Sequence, residues 1–304
     1  MMGFLNLYKP KGVTSHDVVD EVRRKLNIRR VGHAGTLDPF AEGVLVVGVG
    51  STTRLLEYLQ VERKRYYVKA LLGVITETFD ITGEIVEERE CNIPDERIID
   101  VVKSFVGKYK QVPPAYSAKK YKGERLYKLA REGKIISLPP VDVEIYGIDK
   151  IIVKKPHFSF EVEVSKGTYI RSLCMDIGYK LGCGATAKEL KRLSVGTFDI
   201  RDAINPFEVG REKLLESLID VQKVLPLPKV EIYKDFVENI YNGNQPTLDF
   251  VKEMVDSFSK DDDVMLICNG QLVAIAKAER NSKFLEKNLP RGRIFKLKKV
   301  FKEI

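Results

Sequence analysis

The chain has 304 residues, long enough to bury a sizeable core in one large domain or in a large and a small one. With 44% hydrophobic and 31% charged residues it reads as an ordered soluble protein, and no apolar run approaches the length of a membrane span. Its formal charge of +8 admits a polyanionic partner without naming one.

Residues 4–8 alternate and predict a short strand. A Lys9-Pro10-Lys11-Gly12 turn follows, then a helix that Thr14 or Ser15 can cap, with Val18, Val19, Val22 and Leu26 on one face. Between this helix and a buried strand at 44–49 lie residues 31–43, more chain than a helix-to-strand link requires. The segment holds three glycines and His33, Thr36, Asp38 and Glu42, and Pro39 restricts the backbone of Asp38. Ser51, Thr52 and Thr53 offer caps to a short helix containing Leu55, Leu56 and Leu59. Residues 66–73 predict a strand, 76–84 a polar loop, and Pro94 opens a helix through Ile98, Val101, Val102 and Phe105 that Gly107 ends.

Pro113-Pro114 excludes a central strand at 111–118, and Pro139-Pro140 closes a basic stretch of mixed helical character at 119–134. Residues 141–146 and 158–164 alternate as strands. Leu173, Ile177 and Leu181 predict a helix over 170–181, and 185–193 is expected to form a second, short helix. Pro226-Leu227-Pro228 marks the best domain boundary. Beyond it come a helix-like 235–242, strands at 264–268 and 272–276 joined by an Asn269-Gly270 hairpin, and a last strand at 292–300. The three acids Asp261, Asp262 and Asp263 suit an exposed turn. Strands this numerous, with helices this irregularly placed, indicate a mixed α/β unit and not repeated βαβ units. Two domains are expected, 1–228 and 229–304, with residues 113–140 as an insertion in the first.

Four irregularly spaced cysteines and three histidines fit neither a disulfide framework nor a compact zinc pattern. Val47-Gly48-Val49-Gly50 lacks the spaced glycines of a dinucleotide-binding turn, which sets aside an oxidoreductase. The N-terminus lacks the pattern of an export signal, so a cytoplasmic location is expected. Charge is concentrated: seven Lys/Arg between 119 and 134 against two glutamates, and seven between 287 and 302 with no acid. Two separated cationic clusters suit a long phosphate backbone better than a small anion.

Three separated motifs carry a resemblance. Gly32-His33-Ala34-Gly35-Thr36-Leu37-Asp38-Pro39, then Lys64-Arg65-Tyr66, then Ser165-Lys166-Gly167-Thr168-Tyr169-Ile170-Arg171-Ser172-Leu173 occur in the order found in the bacterial tRNA pseudouridine-55 synthases, a TruB-type family. The chain resembles that family from about residue 4 to its end, most weakly beyond Pro226. The resemblance implies a twisted, largely antiparallel mixed sheet with a cleft across its middle, an RNA-clasping insertion and a small β-rich PUA-like RNA-binding domain. It implies cofactor- and metal-free isomerisation of uridine 55 in the tRNA T-loop: the N1–C1′ bond breaks, the freed uracil turns, and C5 joins C1′. The partner implied is tRNA, through its T-arm and T-loop, with no membrane and no obligate protein partner, and a monomer is expected.

By the same resemblance Asp38 is the family's catalytic aspartate, suited to act as nucleophile or to hold charge and move a proton. Attack at C1′, addition at uracil C6 and elimination of a C2′ proton through a glycal stay open, with the glycal route preferred. Arg171 matches the arginine that pairs with that carboxylate. Tyr66 matches the tyrosine that packs on the base and is a candidate general base. Its neighbour Tyr67 would point to the opposite face of the strand and is expected in the core. His33 is expected to occupy the gap left by the extruded uridine, with general base as its rival role, Tyr169 to buttress the pocket, and Leu190 to lie against uracil. Lys119, Lys120, Lys122, Arg125 and Lys128 are candidate phosphate contacts. Two alternatives remain: a pseudouridine synthase for another RNA, and a non-catalytic RNA-binding or RNA-folding protein.

Overall fold

The computed structural model describes residues 2–116, 120–121, 123–125, 132, 136 and 138–302. They form two compact units: residues 5–48 with 56–217, and residues 218–302 with 2–4 and 49–55.

The larger unit is built on one sheet. Its strands are β1 (Gly3–Lys9), β2 (Val31–His33), β3 (Glu42–Val49), β4 (Lys64–Leu72), β7 (Gly107–Gln111), β10 (Val141–Lys154), β11 (His157–Val164), β12 (Ala185–Val195) and β13 (Phe198–Asp199). A small pair, β5 (Val74–Thr76) and β6 (Ile85–Glu88), and a shorter one, β8 (Lys120–Tyr121) and β9 (Glu124–Arg125), stand apart from it. The order across the sheet is β1-β3-β12-β4-β11-β10-β7, with β2 beside β3 and β13 beside β12. The ladders from β12 through β4, β11 and β10 to β7 are antiparallel, while β12 and β3 run parallel. This is the mixed, largely antiparallel sheet expected.

Alternation decides the faces. Along β4, Tyr66, Val68, Ala70 and Leu72 are buried while the residues between them are partly exposed; β11 repeats this with Phe158, Phe160, Val162 and Val164. Helix α4 (Ile170–Leu181) lays Leu173, Cys174 and Ile177 on that inner face. Each such aliphatic side chain removed from water contributes roughly 1.5–3 kcal/mol. Helix α1 (Ser15–Leu26) begins with a reciprocal cap: Asp17 N–H donates to Thr14 Oγ1 at 3.1 Å, and Thr14 N–H donates to the Asp17 carboxylate at 2.7 Å. Helices α2 (Leu56–Gln60) and α3 (Asp95–Lys103) complete the elements used below.

Three expectations are corrected. Residues 185–193 form not a helix but most of β12, a central strand. Its Ala, Lys, Glu and Leu content favours a helix locally, but pairing on both sides with β4 and β3 overrides propensity. The helix after Pro94 ends at Lys103, and Gly107 opens β7 at φ +112°. The strand from Val141 continues to Lys154. The helical character expected over residues 119–134 falls largely outside the described residues, of which 120–121 and 124–125 form the β8–β9 ladder.

The smaller unit carries the sheet β15-β14-β16-β17-β18, made of β14 (Lys229–Ile232), β15 (Val251–Met254), β16 (Asp263–Cys268), β17 (Gln271–Ala278) and β18 (Phe295–Val300). Asn269 and Gly270 adopt φ of +48° and +74°, the left-handed pair a two-residue hairpin needs. Val264, Leu266, Ala274, Ala276 and Phe295 fill its core.

Candidate active site

A cavity of about 440 Å³ opens in the larger unit, and six residues singled out from the sequence line it: His33, Asp38, Tyr66, Tyr169, Arg171 and Leu190. They come from separate elements, namely the end of β2, the loop after it, β4, the start of α4 and β12. Tyr66, with 7% exposure, is both a core residue and a cavity wall, whereas Tyr67 lies on the half-exposed face. The expectation of Tyr67 in the core is thereby corrected: the inner face of β4 serves core and cleft at once. Leu190 sits beside Val68 in the β12–β4 register, on a strand.

Asp38 is held by its loop. Leu37 N–H donates to the Ser15 hydroxyl at 2.8 Å, and that hydroxyl donates back to the Leu37 carbonyl at 3.1 Å. Gly12 N–H donates to the Pro39 carbonyl at 2.8 Å, and Ala41 N–H to the Asp38 carbonyl at 3.1 Å. Below them the Lys9 ammonium, fully buried, donates to the carbonyls of Pro10 at 2.9 Å and Val13 at 2.8 Å. Burial pushes its pKa down to about 8.

Arg171 is almost wholly enclosed, with its side chain 5% exposed, while that of Asp38 is 36% exposed to the cavity. Its Nε lies 2.9 Å from Asp38 Oδ2, and Nη2 donates to Oδ1 at 3.4 Å and to the Tyr116 carbonyl at 2.9 Å. Nη1 donates to Asp80 Oδ2 at 3.1 Å and to the Thr78 carbonyl at 2.8 Å. Asp80 is itself tied down by the Thr78 and Thr82 hydroxyls and by Thr82 N–H at 3.0 Å. Desolvation by the surrounding protein raises the pKa of Asp38, and Asp80 adds to the rise, while Arg171 and Lys9 oppose it. The result is a carboxylate open to a cleft on one side and gripped by a fixed guanidinium on the other.

Tyr169 precedes α4, and a buried amide takes the place of a side-chain cap. Gln111 Oε1 accepts from Tyr169 N–H at 2.7 Å, and its Nε2 donates to the Tyr169 carbonyl at 3.0 Å. Among the described residues, no group of three or more His, Cys, Asp or Glu side chains could hold a metal ion. No described helix is long and apolar enough to cross a membrane.

The profile of the TruB family pseudouridylate synthase N-terminal domain matches residues 23–170, and that of the tRNA pseudouridylate synthase B C-terminal domain matches residues 171–221. The chain is 57% identical to tRNA pseudouridine synthase B of Thermotoga maritima, across 98% of each chain. The chain belongs to the TruB family. A second TruB-family relative, tRNA pseudouridine synthase B of Clostridium tetani, is 42% identical over 80% of this chain and 85% of its own. Among solved structures, an H/ACA ribonucleoprotein bound to a substrate RNA containing 2′-deoxyuridine matches with a TM-score of 0.73 at 26% identity, covering 99% of this chain and 85% of that one. A Cbf5–Nop10–Gar1 complex matches with 0.72 at 28% identity, covering 98% and 84%.

Against the TruB motifs, Lys119, Lys122 and Lys128 lie outside the described residues, and Lys120 and Arg125 are placed only as backbone partners in the β8–β9 ladder. Sequence reading gave Ser15 only as a helix cap, Lys9 as a turn residue open to RNA phosphate and Asp80 as part of a polar loop; the structure buries Lys9 and uses all three to hold this TruB site together. Asp80 sits in a polar loop whose composition signals only a turn. Its contact with Arg171 spans 91 positions of sequence, beyond the reach of any local pattern.

Proposed function

We propose that this chain converts uridine 55 in the T-loop of tRNA to pseudouridine, and the observation that carries the reading is the Asp38–Arg171 pair on the wall of the cavity, 2.9 Å apart, with Tyr66 beside it. The target nucleotide swings out of its stack into the cavity at a cost of a few kcal/mol of unstacking, offset by contacts in the pocket. Tyr66 stacks on uracil, and Leu190 covers it and keeps water away. Asp38, kept ionised and aimed by Arg171, is the principal participant as the N1–C1′ bond breaks. On the glycal route a C2′ proton leaves, to Asp38 or to the Tyr66 hydroxyl. The freed uracil turns about its own axis, C5 bonds to C1′ as C2′ takes back its proton, and C5 then loses its own proton while N1 gains one. The route needs no redox partner, because it is an isomerisation and substrate and product share one formula.

His33 fills the gap in the T-loop and Tyr169 buttresses the pocket. Lys119, Lys120, Lys122, Arg125 and Lys128, in the 113–140 insertion, meet phosphates, and residues 229–304 act as a PUA-like RNA-binding domain beside the catalytic 1–228. The protein works as a monomer in the cytoplasm, without cofactor or metal, and opening the tRNA elbow lets it assist tRNA folding as well. The 57% identity to a tRNA enzyme favours tRNA over other RNAs.

The test is to incubate the protein with unmodified tRNA and with ribosomal RNA fragments and map pseudouridine at single-nucleotide resolution. Modification at position 55 alone supports the reading. Product formed only outside the T-loop overturns the substrate, and binding without any product leaves an RNA-binding protein in its place.

A further inference from the structure

Among the described residues Arg192 is the largest fully buried side chain, 2% exposed, and its hydrogen bonds go to main-chain carbonyls. Its Nε donates to the Val44 carbonyl at 2.7 Å, Nη2 to the Gly35 carbonyl at 3.0 Å and Nη1 to the Thr36 carbonyl at 3.4 Å. Gly35 and Thr36 precede Asp38, and Val44 follows it, so one guanidinium ties the two ends of the Asp38 loop to each other and to β12. The backbones are equally close there. Arg192 lies opposite Gly43 in the parallel β12–β3 register. Gly43 adopts φ +111°, and a Cβ at that position would fall 2.3 Å from the Arg192 carbonyl oxygen. Only glycine lets β12 come this near the exit of the loop.

A buried cation facing carbonyls alone is a costly way to fill space, and an aliphatic side chain would be the ordinary strand choice. The rigid fork has geometric value: it satisfies three acceptors from one planar group, which a lysine cannot reproduce. Arg192 borders the cavity and its charge also lowers the pKa of neighbouring Lys9, but its hydrogen bonds to the Asp38 loop all go to main-chain carbonyls, so it holds that loop by its backbone.

We propose that Arg192 is a positioning residue for the reaction, a clamp that fixes the height of the Asp38 carboxylate over the cavity by holding both ends of its loop. The proposal rests on the assignment of Asp38 as the principal participant. A misplacement of about 1 Å at a reacting group can cost on the order of a hundredfold in rate, so loosening the clamp acts on turnover before it acts on RNA binding.

The test compares wild type, Arg192→Lys and Arg192→Gln, with Val102→Ala on α3, fully buried and outside the cavity lining, as a control for general destabilisation. Single-turnover rate at saturating enzyme, tRNA affinity, melting temperature, the pH–rate profile and hydrogen exchange of the Leu37 and Ala41 amides are measured. For the Arg192 variants we expect at least about a tenfold loss of rate with affinity within about threefold, an acid limb at its wild-type pH, and faster exchange at both amides. The control should lose melting temperature and keep its rate. Loss of rate no larger than that of Val102→Ala, or loss explained wholly by affinity, overturns the proposal. So does unaltered loop exchange in either Arg192 variant, a readout that needs no catalysis. Absence of product from wild type would instead overturn the assigned function and leave the exchange result to judge the clamp.

Discussion

Arg171 cannot swing away from Asp38, because Asp80 holds its Nη1 at 3.1 Å while its Nε stands 2.9 Å from the Asp38 carboxylate. One cation thus serves two anions, and the two differ sharply in exposure: 4% for the Asp80 side chain and 36% for that of Asp38. The deeper carboxylate is spent on fixing the guanidinium. The shallower one stays available to a ligand in the cavity.

This sharing has a pH signature. On the proposed role of Asp38 as a carboxylate, the rate should fall as pH drops through its pKa, which desolvation and the Asp80 charge raise above the ordinary carboxylate value. Asp80→Asn removes the raising charge, and the acid limb of the single-turnover profile should move to lower pH, alongside a smaller maximal rate from a looser Arg171. Lys9→Met removes a lowering charge, and the limb should move to higher pH. Limbs that stay together in all three proteins would show that Asp38 does not set the profile.

Asp38→Asn keeps the shape of the side chain and removes its charge and its basicity. Binding to tRNA draws on many phosphate contacts, so affinity should stay within about an order of magnitude while isomerisation disappears. Filter binding and single-turnover assays on the same unmodified tRNA check both. Robust turnover by the variant would exclude Asp38 as the participating group.

Arg171→Lys tests the fork. One ammonium cannot meet Asp38, Asp80 and the carbonyls of Thr78 and Tyr116 together, and a buried acceptor left unpaired costs roughly 1–3 kcal/mol. We expect a rate loss of tenfold or more by transition-state arithmetic with a lower melting temperature. Unchanged single-turnover kinetics would remove the pair from the mechanism.

Much of this was legible before any coordinates. The 170–181 helix and the Asn269-Gly270 hairpin rest on local chemistry, a four-residue apolar repeat and a left-handed turn, whereas the roles of Asp38 and Arg171 rest on the resemblance to the TruB motifs. What escaped is non-local. The strand β12 reads as helix because Lys, Glu and Leu favour one, and only its two neighbours in the sheet decide otherwise. Tyr66 and Tyr67 do lie on opposite faces of β4, yet the face holding the cleft also holds the core, since Leu37, Tyr66 and Leu190 belong to the same apolar cluster. Asp80 and Arg192 reach the site across 91 and 156 positions, with turn and strand compositions that give no sign of it.

Tyr66 carries two separable contributions, a ring and a hydroxyl. The ring, 7% exposed between the inner face of the sheet and the cavity, offers a stacking surface to an extruded base. The hydroxyl offers an acceptor for a sugar proton. Tyr66→Phe keeps the first and removes the second, so tRNA affinity should hold while the single-turnover rate falls by roughly a hundredfold, the low end of general acid–base effects. Tyr66→Leu removes both and should weaken retention of the target nucleotide as well, seen as reduced fluorescence of 2-aminopurine placed beside position 55 in a T-arm RNA. If Tyr66→Phe turns over at the wild-type rate, the hydroxyl takes no proton, and Asp38 is left as the base for the C2′ elimination.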